Sequence, residues 1–212
     1  FPEENVSGRI EQMIRQTELD ENHSSLSSAE RDFETDAEAE RVFSALKTKL
    51  LNIGEWNDHG MISSFELFGA DGRPAASDAL TVGAFIRILL KGSGKYDWVQ
   101  VEDIYDAGDE FIVTVKPTFD PTVDEADRPA VSHFFTDEAR NNFCLLKKRN
   151  SVTFYVIGLN EKQNTAETDG ALETVRNVAV NVGSYFGIQK GEWTKFANGF
   201  MECAIEEVRP QE

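Results

Sequence analysis

Long hydrophobic runs are missing from this chain, and with them any segment of the twenty or so apolar residues that a membrane-spanning helix needs. Basic residues are scarce: 21 Lys and Arg face 38 Asp and Glu, a formal charge of −17. Nucleic acid is excluded as the main partner, because phosphate binding needs a basic face, and so is docking on an anionic lipid surface. Cysteine is nearly absent. Cys144 and Cys203 stand far apart in apolar segments, which suits two free thiols in a reducing, cytoplasmic compartment. The chain begins at Phe1 rather than Met, so a trimmed leader is compatible with that expectation. Histidine is limited to His23, His59 and His133, no two at metal-pair spacing, so no metal or other cofactor is expected.

Phenylalanine, by contrast, is abundant, at 15 of 212 residues, and concentrated mid-chain. Aromatic side chains bury large areas, so they fill a core or line an apolar cavity. Residues 1–40 differ from the rest, with twelve acidic residues against three basic. Two readings stand for residues 1–30: a loosely attached arm with a short helix through Ile10, Met13 and Ile14, or a disordered tail. In either, Asn22–Ser28 reads as a polar turn. Residues 31–212 are expected to form one α+β domain.

A helix capped at Thr35 or Asp36 follows, with Val42, Phe43, Leu46, Leu50 and Ile53 on one face and a stop near Gly54. From Met61 the period changes to two. Strands are predicted over Met61–Phe68, Thr81–Leu90, Tyr96–Tyr105, Glu110–Lys116, Ser132–Leu146 (one long strand, or two with a bulge near Asn141-Asn142) and Val152–Gly158, with turn residues between them. Six or seven strands with short connections make an antiparallel meander, not a βαβ pattern. The tail returns to helical spacing at Leu172, Val175, Ala179, Val182 and Phe186. Gly187 and Gly191 interrupt it, and Trp193, Phe196 and Phe200 suggest a second helical piece.

Four segments carry a resemblance to a known superfamily: Asp36-Ala37-Glu38-Ala39-Glu40-Arg41-Val42-Phe43 running to Trp56, Val82-Gly83-Ala84-Phe85-Ile86-Arg87-Ile88, Trp98-Val99-Gln100-Val101-Glu102-Asp103-Ile104, and the closing helix from about Thr168. Together, over residues 33–190, the chain resembles the START/Bet v 1-like (SRPBCC) proteins. That resemblance implies the helix-grip fold, a curved sheet wrapped around a long C-terminal helix and enclosing a cavity. Ahead of the early helix, only Arg31–Thr35 offers a strand. Members of the superfamily bind lipids, sterols, polyketides or other apolar molecules, and some catalyse cyclisation or dehydration.

The expected function is therefore the binding of an apolar small molecule between sheet and C-terminal helix, in a pocket lined by Trp98, Phe111, His133, Phe135, Phe154 and Phe186. An enzyme is the first alternative, with His133 as acid–base and the Tyr155 phenol as donor. Against that, His133 also reads as a hydrogen-bonded core or edge residue. An interaction module acting on a protein partner through the acidic arm is the second alternative.

Other candidates have plainer readings. Gly92-Ser93-Gly94-Lys95 lacks the first glycine and the Ser/Thr of a phosphate loop and joins two strands, so it is a hairpin. The acidic residues of loop 118–130, Asp120, Asp124, Glu125 and Asp127, lack calcium-loop spacing and read as a solvated loop. His59 reads as a solvated turn residue. Arg87 and Arg140 are basic groups within apolar strands, and Arg87 either holds a ligand carboxylate or is a solvent-side strand residue.

Overall fold

The computed structural model describes residues 8–57, 59, 63–90, 95–128, 136–162, 184–185 and 188–209. Helix α1 spans Arg9–Leu19, followed by strand β1 (Ser25–Asp32) and helix α2 (Asp36–Leu50). Strands β2 (Ser63–Phe68), β3 (Phe85–Leu90), β4 (Lys95–Asp106), β5 (Glu110–Pro117), β6 (Arg140–Lys148) and β7 (Ser151–Leu159) come next. A short ladder of β8 (Ser184–Tyr185) and β9 (Ile188–Gln189) leads into helix α3 (Lys190–Val208).

Strands β1 to β7 form one antiparallel sheet in the order β1-β7-β6-β5-β4-β3-β2, curled into a half-barrel. The meander from β2 to β7 runs in sequence order, each strand pairing antiparallel with the next. Only β1 crosses over, through α2, to pair with the last strand. Strand parity divides the residues between two faces. On β5, Phe111, Val113 and Val115 face the concave side with Phe143, Leu145, Phe154 and Val156. Ile112, Cys144 and Ile157 face the convex side. In β4 the register shifts between Val101 and Asp103, so Val101 and Ile104 both reach the concave side although they are an odd three positions apart.

Helices α2 and α3 fill the concave side. Thr35 caps α2: its hydroxyl accepts from the Glu38 backbone N–H at 3.1 Å, while Glu38 accepts from the Glu34 N–H at 3.3 Å. Val42, Phe43, Leu46 and Leu50 are buried on one side of the helix, as their spacing requires. Trp56 follows in a 3-10 turn, and its indole N–H donates to the Leu50 carbonyl at 3.1 Å. Helix α3 brings Trp193, Phe196, Ala197, Phe200, Met201 and Ala204 into the same core. At the other end of the sheet Lys147 is buried beside Asp36, Glu40 and Asp109, at 3.2, 3.5 and 3.6 Å, which ties the start of α2 to the strand ends. The hydrogen bond to Asp36 leads the causes that raise its pKa.

Several expectations change. Asn22–Ser28 is not a turn throughout: residues 25–32 form an edge strand, so the strand before α2 is Ser25–Asp32 rather than Arg31–Thr35. Its polar sequence hid it, since its concave positions Ser25, Ser27 and Ala29 are small rather than strongly apolar. Strand β3 starts at Phe85 because Gly83 turns the chain at φ 88°, which leaves Val82 58% exposed instead of in the core. Strand β6 starts at Arg140, after a turn at 137–138, so the predicted strand is not continuous to Leu146; its first residues, 132–135, lie outside the described residues. Ser184–Tyr185 pair with Ile188–Gln189 instead of continuing a helix to Phe186. The helix that grips the sheet is Lys190–Val208, the piece that Trp193, Phe196 and Phe200 announced. The remainder of the Leu172–Phe186 stripe lies outside the described residues.

Helix α1 is an addition on the convex face. Ile10 is fully buried there, with Met13 and Ile14 packed against Ile112, Cys144, Leu146 and Ile157. The central strands are therefore covered on both faces.

Candidate functional site

Three ranks of side chains cross the concave face from β5 to β1. The first is Phe111, Leu145, Phe154 and Ala29; the second is Val113, Phe143, Val156 and Ser27. The third is Val115, Asn141, Gly158 and Ser25. Apolar groups dominate the first two ranks, and polarity enters at the third.

Aromatic rings fill the space over the first two ranks. Trp56 lies 4.6 Å from Phe143 and 5.5 Å from Phe196 between ring centroids. Phe196 stands 4.6 Å from Phe200, and Phe154 is 5.6 Å from Phe200. Trp193 sits 5.4 Å from both Phe143 and Phe196. Tilted and edge-to-face pairs of this kind are a packed core. His59 joins them: its ring is 4.5 Å from Phe200, and its Nε2 donates to the Glu55 carbonyl at 2.7 Å. It is half-buried against aromatics rather than in a solvated turn, and Gly199 makes its room, since a Cβ there would approach its Nδ1 to 2.5 Å.

At the third rank the chemistry changes. Asn141 is 0% exposed, and among the described residues neither its Oδ1 nor its Nδ2 has a hydrogen-bond partner. Its neighbour Asn142, on the convex face, is satisfied at both ends: Thr114 Oγ1 donates to its Oδ1 at 2.8 Å, and its Nδ2 donates to the Ile157 carbonyl at 3.2 Å. Beside Asn141, Gly158 leaves a gap into which the Glu161 carboxyl folds. A Cβ at Gly158 would clash with Glu161 Oε1 and come 2.6 Å from Ser25 Oγ. Ser25 donates to Glu161 Oε2, while Oε1 is buried and has no partner among the described residues. Burial pushes the Glu161 carboxyl up to about 7, and the Ser25 hydrogen bond opposes that shift. Thr136, whose N–H donates to the Lys162 carbonyl at 3.0 Å, has a buried Oγ1 with no partner among the described residues. Ser63 Oγ, on β2 at the same end of the sheet, is also buried without a partner.

The residues expected from sequence separate between the two faces. Phe111 and Phe154 are on the concave side, in the core. Trp98 is on the convex side with Phe68 and Phe85. Tyr155 is also convex, packed against α1 and opposite Cys144. Trp98 and Tyr155 therefore do not meet Phe111 and Phe154. His133, Phe135 and Phe186 lie outside the described residues. Arg87 binds Glu66, with its guanidinium 4.5 Å from the Tyr96 ring centroid, and Arg140 forms two bonds to Glu102. Both arginines are thus engaged within the fold. In the acidic loop, Asp120 accepts from Thr122, and among the described residues no three His, Cys, Asp or Glu side chains converge as metal ligands. A half-open hollow of about 300 Å³ lies between α1 and the convex face, where Arg9 stacks 3.8 Å from the Tyr105 ring centroid and pairs with Asp103 at 3.4 Å. Among the described residues no helix is long and apolar enough to cross a membrane.

Sequence reasoning missed Asn141 and Glu161. The only available signal was the Asn141-Asn142 pair inside an apolar strand, where alternation puts one amide on each face.

No protein-family model matches the chain, and no curated protein matches it in sequence. Solved structures do match in shape. The hypothetical protein jhp0584 of Helicobacter pylori is 10% identical over 85% of this chain and 88% of its own, with a TM-score of 0.50. TTHA0849 of Thermus thermophilus is 13% identical over 87% and 100%, with a TM-score of 0.42. Truncated norcoclaurine synthase of Thalictrum flavum is 11% identical over 89% and 97%, with a TM-score of 0.44. At such identities the likeness is one of fold alone. The strand order, the crossover through α2 and the gripping helix α3 give the chain the helix-grip fold seen in Bet v 1-like proteins, a likeness of architecture.

Proposed function

We propose that this protein binds a small, largely apolar molecule on the concave face of the sheet, at the Val115–Asn141–Gly158–Ser25 rank beside α3. The observation that carries this reading is the Asn141 carboxamide, buried on an apolar face with both polar atoms unpaired. An unpaired buried polar group costs about 1–3 kcal/mol. A bound molecule that pairs with it turns that cost into affinity. The aromatic packing over the first two ranks sets the size of the ligand: it sits beyond Phe143, not along the whole length of α3. The apolar side chains around it, Val101, Val115 and Phe143, favour a hydrocarbon or aromatic body.

Fluorescence titration with N-phenyl-1-naphthylamine, a neutral apolar dye, tests the reading. A saturable, blue-shifted enhancement of one dye per chain is expected. Gly158→Phe, which places a ring at the third rank, is expected to remove it. An enhancement absent in the native protein, or untouched by Gly158→Phe in a folded variant, contradicts the reading.

A further inference from the structure

We infer that the ligand bound on the concave face carries an uncharged head group that both donates and accepts hydrogen bonds, such as a primary carboxamide, and that Asn141, Glu161 and Thr136 select it. The inference rests on the binding reading above and deepens it. Its basis is the particular set of atoms left unpaired. Asn141 offers an N–H donor and a carbonyl acceptor. Glu161 offers Oε1, an acceptor when ionised, while its Oε2 is held by Ser25. Thr136 offers a hydroxyl that can serve either way.

The strand register puts two of these three side by side. Asn141 and Gly158 are directly paired across β6 and β7, and the Glu161 carboxyl lies over Gly158. Facing Cβ positions in an antiparallel pair are about 5 Å apart, so one small head group can reach both Asn141 and Glu161. The main-chain bond from Thr136 to Lys162 holds Thr136 next to the chain segment that carries Glu161.

A head group with one acceptor and two donors answers the Asn141 and Glu161 atoms of this set: its acceptor takes the Asn141 N–H, and its donors go to Asn141 Oδ1 and Glu161 Oε1. An anionic head fails, because it offers no donor and meets the Glu161 charge. A purely apolar ligand leaves the same atoms unpaired, so it gains nothing from them. A site built to hydrogen-bond a group rejects analogues that lack it, for that same reason.

Three probes that share one ring system separate the cases: 2-naphthamide, 2-naphthoate and 2-methylnaphthalene, titrated by fluorescence into the full chain at about pH 8, where Glu161 is largely ionised. The amide is expected to bind about tenfold or more tightly than either analogue, a preference of the size that one or two buried hydrogen bonds provide. Asn141→Leu is expected to abolish that preference. If all three probes bind alike and Asn141→Leu changes nothing, the head-group inference is overturned while the apolar-binder reading survives. If 2-naphthoate binds best, the selection runs opposite to the one inferred. If none of the three binds, the binder reading itself fails. Comparing the probes on the native protein keeps the test decisive even if the variant does not fold.

Discussion

Asn141 and Glu161 hold free energy in reserve. Replacing Asn141 with an apolar group of similar size removes an unpaired buried amide without opening a cavity. Asn141→Leu is therefore expected to raise the stability of the unliganded protein by about 1–2 kcal/mol. Urea denaturation checks this: a higher midpoint is expected, and a lower one would mean that the amide is paired in solution. Glu161 acts through its proton. Its folded pKa of about 7 lies above the ordinary carboxyl value, so between those values the folded chain keeps a proton that the unfolded chain releases. Its contribution is complete below the ordinary carboxyl value and is lost as the pH rises through about 7. Melting curves from pH 5 to 8 should lose stability on the order of 2 kcal/mol through this group. Glu161→Gln should flatten that part of the profile, and an unchanged profile would show that the carboxyl is solvated.

At the scale of elements, the two faces of the sheet depend on different helices. On the concave side Phe196 touches Trp56, Phe143, Phe154, Trp193 and Phe200. Phe196→Ala should cost about 3–5 kcal/mol, measured by chemical denaturation. On the convex side α1 seals Cys144, whose thiol burial pushes well above its ordinary pKa. With Cys203→Ser as background, the native chain should leave Ellman's reagent unreacted, and Ile10→Asp should expose Cys144 to it within minutes by detaching α1. If Cys144 reacts equally in both, α1 does not cover the sheet. The same elements show what could be read beforehand. Strands β2 to β7 were legible because bulky apolar residues alternate along them. Strand β1 was not, since α3 approaches it closely enough for Ser27 Oγ to donate to the Lys190 carbonyl at 3.3 Å, and small side chains replace the apolar signal there. The site was illegible for a related reason. Composition shows an asparagine in a strand, but only the cross-strand register shows that it faces inward, that Gly158 opens a gap beside it and that Glu161 fills that gap.

At the scale of the whole molecule, the sheet is a wall between two interiors. One is the aromatic core gripped by α2 and α3; the other is the small apolar layer under α1. Trp98 was expected in one pocket with Phe111 and Phe154, yet parity puts that wall between them, and Tyr155, the phenol donor of the enzyme alternative, also lies on the convex side. The wall also makes the central claim spatial. Ligand capture on the concave face must perturb one end of β6, β7 and β1, whereas capture in the hollow beside Tyr105 must perturb α1 and the convex face. Backbone amide NMR spectra recorded during a titration with 2-naphthamide distinguish the two. Shifts are expected at Asn141, Gly158, Ser25 and Glu161 and in the first turns of α3, with α1 unmoved. Shifts confined to α1, Asp103 and Tyr105, or none at any residue, would contradict the central claim.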